Sequence, residues 1–323
     1  MNALGRTGRC AMLCLLLVCM AGMLAWAETK PKASGAATPV VDLIGDGKID
    51  WTKMELRARG FGVAPAFAKT PAQITTLARE AAIMAAERNL LKVINGVKIT
   101  SDTTVETLVL KNDATRSRVS GLLKGAVIVS EGPYKEVGYE VVMATSIYGK
   151  KSLAQSIDLA GQLQVAAPHA TIIPPASKEE SASPVTPAPA KPVEPATPPE
   201  NVALAREAYT GIVIDCRGLD LSRALCPRLL DQDHNNLWDL LAVSVELVND
   251  RGIAGYFHAD DPALPERVGK HPLTVKACAV SGHGMFKTDG VISTEDAARL
   301  RAENARSLFL NKLNLALLVD QDK

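Results

Sequence analysis

The chain has 323 residues, 47% of them apolar and 22% charged, which is enough apolar material for the cores of two ordinary domains. Its 36 lysines and arginines balance 35 acidic residues, and this balance excludes a protein that holds nucleic acid on a basic surface. Aromatic residues make up only 4%, which argues against a protein that stacks bases or sugar rings.

The first 27 residues predict a secretory signal peptide. Arg6 and Arg9 supply the positive start, residues 11–24 the apolar stretch, and Ala25-Trp26-Ala27 a small-x-small cleavage site. The apolar stretch is too short for a spanning helix. We therefore expect export to the periplasm or cell envelope, with cleavage after Ala27. Loss of the two leader arginines leaves 34 basic against 35 acidic residues, a net charge near −1.

The cysteines separate into two groups. Cys10, Cys14 and Cys19 lie in the predicted leader, and neither Cys14 nor Cys19 follows the small residue that a lipoprotein signal requires, so lipidation is disfavoured. Cys216, Cys226 and Cys278 remain, and three thiols permit one disulfide. Cys216 and Cys226 are the nearest pair in an oxidising compartment, but cysteine in a buried strand often acts as a small apolar residue. The sequence leaves the bridged and free states open.

A proline-rich stretch divides the rest of the chain. Residues 167–200 hold ten of the nineteen prolines, and proline fixes φ and donates no backbone hydrogen bond, so the stretch predicts an extended linker. The predicted organisation is a signal peptide (1–27), a disordered N-terminal segment (28–39), a first α+β domain (40–164), the linker (165–202) and a C-terminal α+β domain (203–323).

The first domain predicts one long helix across an antiparallel sheet. Residues 49–59 alternate as a strand, and Gly60-Phe61-Gly62 predicts a turn or bulge. Pro71 opens a helix that continues to about Ile94. A polar stretch at 104–110, strands at 126–129 and 139–147 with a turn at Gly132-Pro133, and a short closing helix at 151–163 complete the prediction.

The second domain predicts a buried strand at residues 210–216 and further strands near 225–230, 253–257, 273–280 and 290–292. Ser293 and Asp296 have the spacing of a capping box, so a helix should begin there and run to about Asn311. The apolar run 313–319 predicts an inner strand. The fold class is therefore α+β: two small domains, each an antiparallel or mixed sheet packed with one or two helices.

These residues suggest a family. Trp51, the run Arg79-Glu80-Ala81-Ala82, the run Ala86-Glu87-Arg88-Asn89-Leu90, Val97-Lys98-Ile99 and Gly125-Ala126 resemble the Lpp-twenty lipoprotein family over about residues 46–148. The same module is similar to the N-terminal domain of flagellar assembly protein T. Residues 210–219 and 226–229 resemble the C-terminal region that often accompanies such domains. The resemblance implies an envelope or surface protein without enzymatic activity, tied in some members to the flagellar basal body. The chain departs from the family in lacking a lipobox.

Two acidic clusters are candidates for metal binding. The first is Asp231, Asp233 and His234, with Asn235 beside them, and the second is His258 and Asp260, with Asp261. Both occur in turn-like sequence, where Asp and Asn form local hydrogen bonds, so plain loops are the favoured interpretation and metal ligands the rival one. A third stretch, from Asp42 to Gly47, lacks the ligand pattern of a calcium loop because Ile44 and Lys53 occupy two of its ligand positions.

Catalytic patterns are absent from the sequence: it contains no Gly-x-Ser-x-Gly elbow, phosphate loop, dinucleotide fingerprint or Cys-x-x-Cys pair. Arg116, Arg118 and Lys124 form a small basic group that a solvated sheet edge explains as well as an acidic partner or lipid head groups. Glu80 and Glu87 each have a neighbouring arginine, and we expect these charges to orient the long helix.

The sequence thus predicts a non-enzymatic, exported envelope protein without a cofactor, which acts as an interaction or scaffold module. Envelope or flagellar basal-body proteins are the expected partners, with nucleic acid excluded and peripheral association with the outer membrane left open. The alternative is a periplasmic protein that binds a small ligand or a metal.

Overall fold

The first half of the chain folds around an antiparallel sheet. The computed structural model describes residues 38–135, 138–166, 207–238, 243–282 and 284–321, and the predicted leader and most of the predicted linker lie outside them. The described elements of the first module are β1 (Val41–Ile44), β2 (Gly47–Asp50), β3 (Glu55–Val63), α1 (Pro71–Gly96), α2 (Val105–Lys111), α3 (Asp113–Lys124), β4 (Val127–Tyr134), β5 (Gly138–Ser146), α4 (Leu153–Ser156) and α5 (Leu159–Ala166).

The long helix α1 lies against one face of this five-stranded sheet, whose order is β1-β2-β3-β5-β4. The hydroxyl of Thr70 accepts a hydrogen bond from the amide of Gln73 at 3.2 Å and caps the helix, and Pro71 occupies its first turn as predicted. A Cβ on Gly60 would lie 2.1 Å from the backbone nitrogen of Ala86. The prediction of a turn or bulge at Gly60 to Gly62 was wrong, because both glycines lie inside β3 and let the helix backbone approach the sheet.

Other local predictions in this module need correction. The strand predicted over residues 49–59 is two strands, because β2 ends at Asp50 and residues 51–54 turn, with Met54 at a φ of +52°. The polar stretch after Thr104 is a helix, α2, whose Val105 and Leu108 are buried. The turn predicted at Gly132-Pro133 lies later, since both residues belong to β4.

The second module has a different sheet architecture. Its described elements are β6 (Gly211–Asp215), β7 (Leu229–Leu230), α6 (Val245–Arg251), β8 (Gly255–Phe257), α7 (Leu264–Val268), β9 (Pro272–Lys276), β10 (Ala279–Ser281), β11 (Asp289–Val291), α8 (Thr294–Ser307) and β12 (Leu315–Leu318). The first half of the predicted capping box is present, because the Ser293 hydroxyl accepts from the Asp296 amide at 3.1 Å. The Asp296 carboxylate accepts from the Ser293 hydroxyl at 2.8 Å, where a full capping box would use the Ser293 backbone amide. The helix that begins there ends at Ser307, earlier than predicted, because Leu308 adopts a left-handed φ of +52°.

Four strands of this module form a wholly parallel sheet in the order β8-β12-β6-β9. All four residues of β12 are buried, as predicted for an inner strand, because parallel strands are covered on both faces. A smaller mixed sheet has the order β10-β11-β7. The chain is therefore α+β, with one antiparallel, one parallel and one mixed sheet among its described residues.

The two faces of the parallel sheet meet different neighbours. Val213, Phe257 and Leu318 form a small cluster with Val268 of α7. The opposite face, which includes Ile212 and Leu317, belongs to one large core that continues into the first module. The two predicted modules have separate sheets, and the described residues from Thr38 onward pack together as one compact unit.

Backbone hydrogen bonds also cross the boundary between the modules. The amides of Leu225 and Cys226 donate to the carbonyls of Lys98 and Ile99, at 2.9 and 2.8 Å. No helix among the described residues is both long and apolar enough to cross a membrane.

Candidate functional site

The side of the first sheet that faces away from α1 exposes a mixed apolar and charged surface. Because side chains alternate along a strand, β3 directs Leu56 and Ala58 to the core and Arg57 and Arg59 outward. The residues whose side chains share this outward surface, here called the open face, are Leu43, Lys48, Glu55, Arg57, Arg59, Phe61, Val63, Val127, Val129, Ser130, Tyr134, Glu140, Val142 and the buried Ala144.

The strand register sets the order of side chains across the open face. Leu43 pairs with Lys48, Lys48 with Arg57, Arg57 with Ala144 and Ala144 with Val127, so one row crosses all five strands. Directly opposite side chains lie about 5 Å apart at their Cβ atoms. Lys48 and Arg57 are therefore neighbouring cations.

A groove of about 620 Å³ lies over the Leu43, Lys48 and Arg57 part of this row and extends to Val129 and Val142. Its rim exposes large apolar side chains: Leu43 is 80% exposed and Val129 is 44% exposed. Val127, beside the groove, is 63% exposed. Arg57 and Arg59 line the groove between these apolar residues. Uncovered apolar side chains grouped on one surface are typical of a contact site.

The cations of the groove differ in how well they are neutralised. Arg57 lies 2.6 Å from a carboxylate oxygen of Glu55. Arg59 lies 4.0 Å from Asp46, at the limit of an ion pair, and more than half of each side chain is exposed. Lys48 forms no ion pair within the part of the chain that the structure describes.

The other end of the open face is aromatic. The rings of Phe61 and Tyr134 lie 4.7 Å apart, centroid to centroid. The Arg59 guanidinium lies 5.7 Å from the Phe61 centroid, and the Lys135 ammonium 5.2 Å from that of Tyr134. The two rings are each 39% exposed, so this end can also contact a partner.

The first predicted metal cluster forms a hydrogen-bonded turn. Asp231 is 4% exposed and accepts from the amides of Asp233 and Asn235, the Asn235 side chain and Arg301. Burial raises the pKa of Asp231, but these hydrogen bonds outweigh burial and leave the pKa below its ordinary value. His234 is exposed and has a φ of +62°. The Asp231 carboxylate is thus occupied by the protein itself.

The second predicted cluster follows β8 at the carboxyl edge of the parallel sheet. The Nδ1 atom of His258 lies 3.3 Å from the Val319 carbonyl, and Asp261 accepts from the amide of Ala263 at 2.9 Å. Asp260 is exposed, and the raised pKa of Arg217 comes first from its hydrogen bonds to Asp215 and only to a smaller extent from the charges of Asp320 and Asp260. Nowhere in the described ranges do three or more His, Cys, Asp or Glu side chains converge as a metal site.

Cys216 and Cys226 are buried free thiols in the structure. Burial, followed by the charge of Asp215, raises the pKa of Cys216 to about 12. Burial raises the pKa of Cys226 as well. Cys278 is a free thiol on the surface.

The charged helix residues have structural contacts. Arg79 of α1 binds Glu131 of β4 with two hydrogen bonds of 2.7 and 3.2 Å, and this pairing raises the Arg79 pKa. Arg88 donates to the Met84 carbonyl at 3.2 Å. The pair with Glu131 joins the helix to the sheet, in keeping with the orienting role expected for these charges. Glu80 and Glu87 form no ion pair within the described ranges.

The predicted basic group lies on a helix and not on a sheet edge. Arg116, Arg118 and Lys124 belong to α3. Arg116 pairs with Asp113 at 2.9 Å, and Arg118 donates to the Ser156 carbonyl at 2.9 Å.

A polar cleft of about 370 Å³ lies between the modules. Lys98 and Asp42 line it from the first module, and Cys216, Asp220 and Asp320 from the second. Asp42 accepts from the Trp51 indole at 2.8 Å and pairs with Arg223. The cleft opens at the carboxyl ends of β6 and β12, the edge where parallel sheets commonly bind ligands.

Sequence reasoning missed the open face. The alternation of Leu56, Ala58 and Gly60 with Arg57 and Arg59 was visible, and it places the two arginines on the side away from the small residues. The exposed valines of β4 gave no such signal, since apolar strand residues usually face a core.

The second module is similar to a known domain. Residues 211–321, which are 111 of the 323 residues, match the family described as Treponema pallidum Tp0624, second domain. The match begins with β6 and includes β12, so it covers the whole parallel sheet. No curated protein matches the chain. The resemblance of the first module to the Lpp-twenty family stays a prediction from the sequence.

Proposed function

We propose that this chain is an exported, non-enzymatic protein of the cell envelope that acts as an interaction or scaffold module. The observation that supports the proposal is the open face, where large apolar side chains stay exposed beside cations and aromatic rings. An apolar centre with a charged rim is the usual composition of a protein contact surface. Envelope or flagellar basal-body proteins are the proposed partners, in line with the family that the first module resembles.

The core shared by the two modules would fix their relative position in such a scaffold. Because the two modules form one compact unit, the open face and the second module would be held in a fixed relation. A rigid unit presents its contact surface without an ordering cost at binding. The proposed scaffold therefore acts as one body, in place of two modules that move freely on a linker.

Export is tested by the N-terminus of the protein purified from cells. We expect the chain to begin at Glu28 and to fractionate with the periplasm or the envelope. An intact Met1 on protein that stays in the cytosol contradicts the proposal.

The contact role is tested by co-purification from cross-linked envelopes. We expect a complex of defined composition that is lost with Val129→Glu, because a carboxylate would be placed on the apolar rim of the groove. The matched control is Leu110→Glu, which places the same charge at a side chain that is 70% exposed on α2. A solitary monomer in every preparation, or equal loss with both variants, contradicts the contact role.

A second candidate function, binding of a small ligand, is favoured by the cleft between the modules. It combines the Lys98 ammonium with the carboxylates of Asp220 and Asp320 in about 370 Å³. A screen of amino acids, small sugars and divalent ions by thermal shift tests it, since only a ligand that prefers the native state raises the melting temperature. A shift that is abolished by Lys98→Ala but kept by Lys111→Ala supports this function, and an unchanged melting temperature with every compound removes it.

A further inference from the structure

The proposed function does not specify the chemistry of the partner. The side chains that line the groove indicate which chemical groups the partner would present. Lys48 and Arg57 are directly opposite in the β2–β3 register. Like charges at directly opposite positions destabilise a sheet. Arg59 follows on the same face, two residues along β3. Three cations are thus concentrated at one end of the open face.

Neutralisation within the chain is incomplete at this end. Glu55 binds Arg57 closely at 2.6 Å, whereas Asp46 reaches Arg59 only at 4.0 Å. Lys48 has no carboxylate partner in the described ranges. The groove therefore offers positive charge to a ligand that brings carboxylates.

The exposed apolar side chains at the rim of the groove favour a ligand that also carries apolar groups. Leu43 and Val129 stand on either side of the cations, and both are exposed. A ligand that only carried negative charge would leave these side chains in water. A segment with both acidic and apolar side chains can contact the apolar residues of the rim and the cations between them at the same time.

The edge of the sheet is a poor place for such a segment to add as a strand. The sheet has two edge strands: β1, which has only four residues, and β4, which has a bulge between Ile128 and Ser130 and contains Pro133. Short edge strands, bulges and prolines all disfavour further strand pairing. The segment would therefore lie across the open face, in the groove.

A lipid surface fits less well. The surface is grooved, and Glu140 lies on the open face while Asp46 lines the groove, so anionic head groups would meet carboxylates as well as cations. A protein segment can place its carboxylates selectively over Lys48 and Arg59.

We infer that the groove of the open face binds an acidic, apolar segment of a partner protein. This inference rests on the proposed contact function. It assigns Lys48, Arg57 and Arg59 the recognition of carboxylates, and Leu43 and Val129 the apolar contacts.

The experiment is a selection of displayed random peptides on the purified protein, followed by affinity measurements with one synthesised peptide. We expect the enriched peptides to combine Asp or Glu with large apolar residues. The double variant Lys48→Glu and Arg59→Glu should weaken binding by about tenfold or more, and a peptide with its acids replaced by lysine should regain affinity for that variant.

The matched control is Arg116→Glu with Lys124→Glu on α3, which changes the net charge by the same amount away from the groove. Binding should survive this control. Enrichment without acidic residues, or equal weakening by both double variants, overturns the inference. So does binding of the protein to vesicles of phosphatidylglycerol and phosphatidylethanolamine that depends on Lys48 and Arg59 while no peptide binds.

The outcomes also separate this inference from the contact function. If the envelope complex depends on Val129 but is insensitive to the Lys48 and Arg59 variant, the contact function stands and the assignment of an acidic segment fails. If no complex forms in any preparation, the contact function fails first.

Discussion

Trp51 and Tyr256 meet edge to face across the boundary between the two modules, with ring centroids 5.2 Å apart and an interplanar angle of 65°. Each residue is 1% exposed. The Tyr256 hydroxyl accepts from the Ala224 amide at 2.9 Å and donates to the Ala224 carbonyl at 2.8 Å. The first module thus covers the ring of Tyr256 and the second module satisfies its hydroxyl, so the boundary is part of the core.

We predict that the modules unfold together. Tyr256→Phe removes the buried hydroxyl that bonds both the amide and the carbonyl of Ala224, and it should lower the free energy of unfolding by about 1–3 kcal/mol. Urea unfolding followed by circular dichroism and by tryptophan fluorescence should give one coincident transition in the wild type and in the variant. Two separate transitions, with only one of them shifted by the substitution, contradict a shared core.

We predict that Gly60 is required for the contact between α1 and the sheet. In Gly60→Ala the new Cβ would lie 2.1 Å from the Ala86 nitrogen and 2.3 Å from the Ala82 oxygen, so the helix must move. The cost should be about 3 kcal/mol or more, read as a lower urea midpoint. Gly121→Ala in α3 is the control, because its Cβ meets nothing within 4 Å and should stabilise the helix by about 0.5–1 kcal/mol. Equal effects of the two substitutions contradict this account.

The sequence predicted a helix start correctly where the residues that begin the helix are close together in sequence. Pro71 predicted the start of α1, and Ser293 with Asp296 predicted the start of α8, because the residues that begin a helix are near one another in sequence. The predictions failed where the local structure depends on contact with an element that is distant in sequence. Gly60 is typical of a turn by itself, and only the approach of Ala86 shows why a glycine lies inside a strand.

The architecture of the second module depends on pairing between distant segments. β6 and β12 are adjacent parallel strands although about a hundred residues separate Ile212 from Leu315 in the sequence. No local pattern encodes such a pairing. The open face has the same origin: Val127 and Val129 look like core residues in sequence, and they are exposed because α1 covers the opposite face of the sheet.

We predict that the three cysteines outside the predicted leader differ in reactivity. Burial raises the pKa of Cys216 to about 12, so its reactive thiolate is scarce near neutral pH, and Cys226 is protected in the same way. Brief treatment of the native protein with iodoacetamide at pH 8 should alkylate Cys278, and treatment after unfolding should alkylate all three, as mass spectrometry can count. If Cys216 and Cys226 stay unmodified when the protein is unfolded without a reductant, the two residues form the disulfide that the sequence left open.

We predict that Asp231 stabilises its turn and does not bind a metal. Its hydrogen bonds to Asn235 and Arg301 hold the pKa below the ordinary value of 3.8, so the folded state binds the proton less readily than the unfolded state. This stabilisation is present above pH 3.8 and is lost as the pH falls through the lowered pKa of the folded state. Asp231→Asn should therefore lower the melting temperature at neutral pH and bring it closer to that of the wild type in acid. Asp233→Asn, which keeps the backbone bond from residue 233 to Asp231, is the control and should change the melting temperature little. A rise in melting temperature with Zn²⁺ or Ca²⁺ that disappears in Asp231→Asn would instead assign the carboxylate to a metal, because the ion must then compete successfully with the protein's own donors.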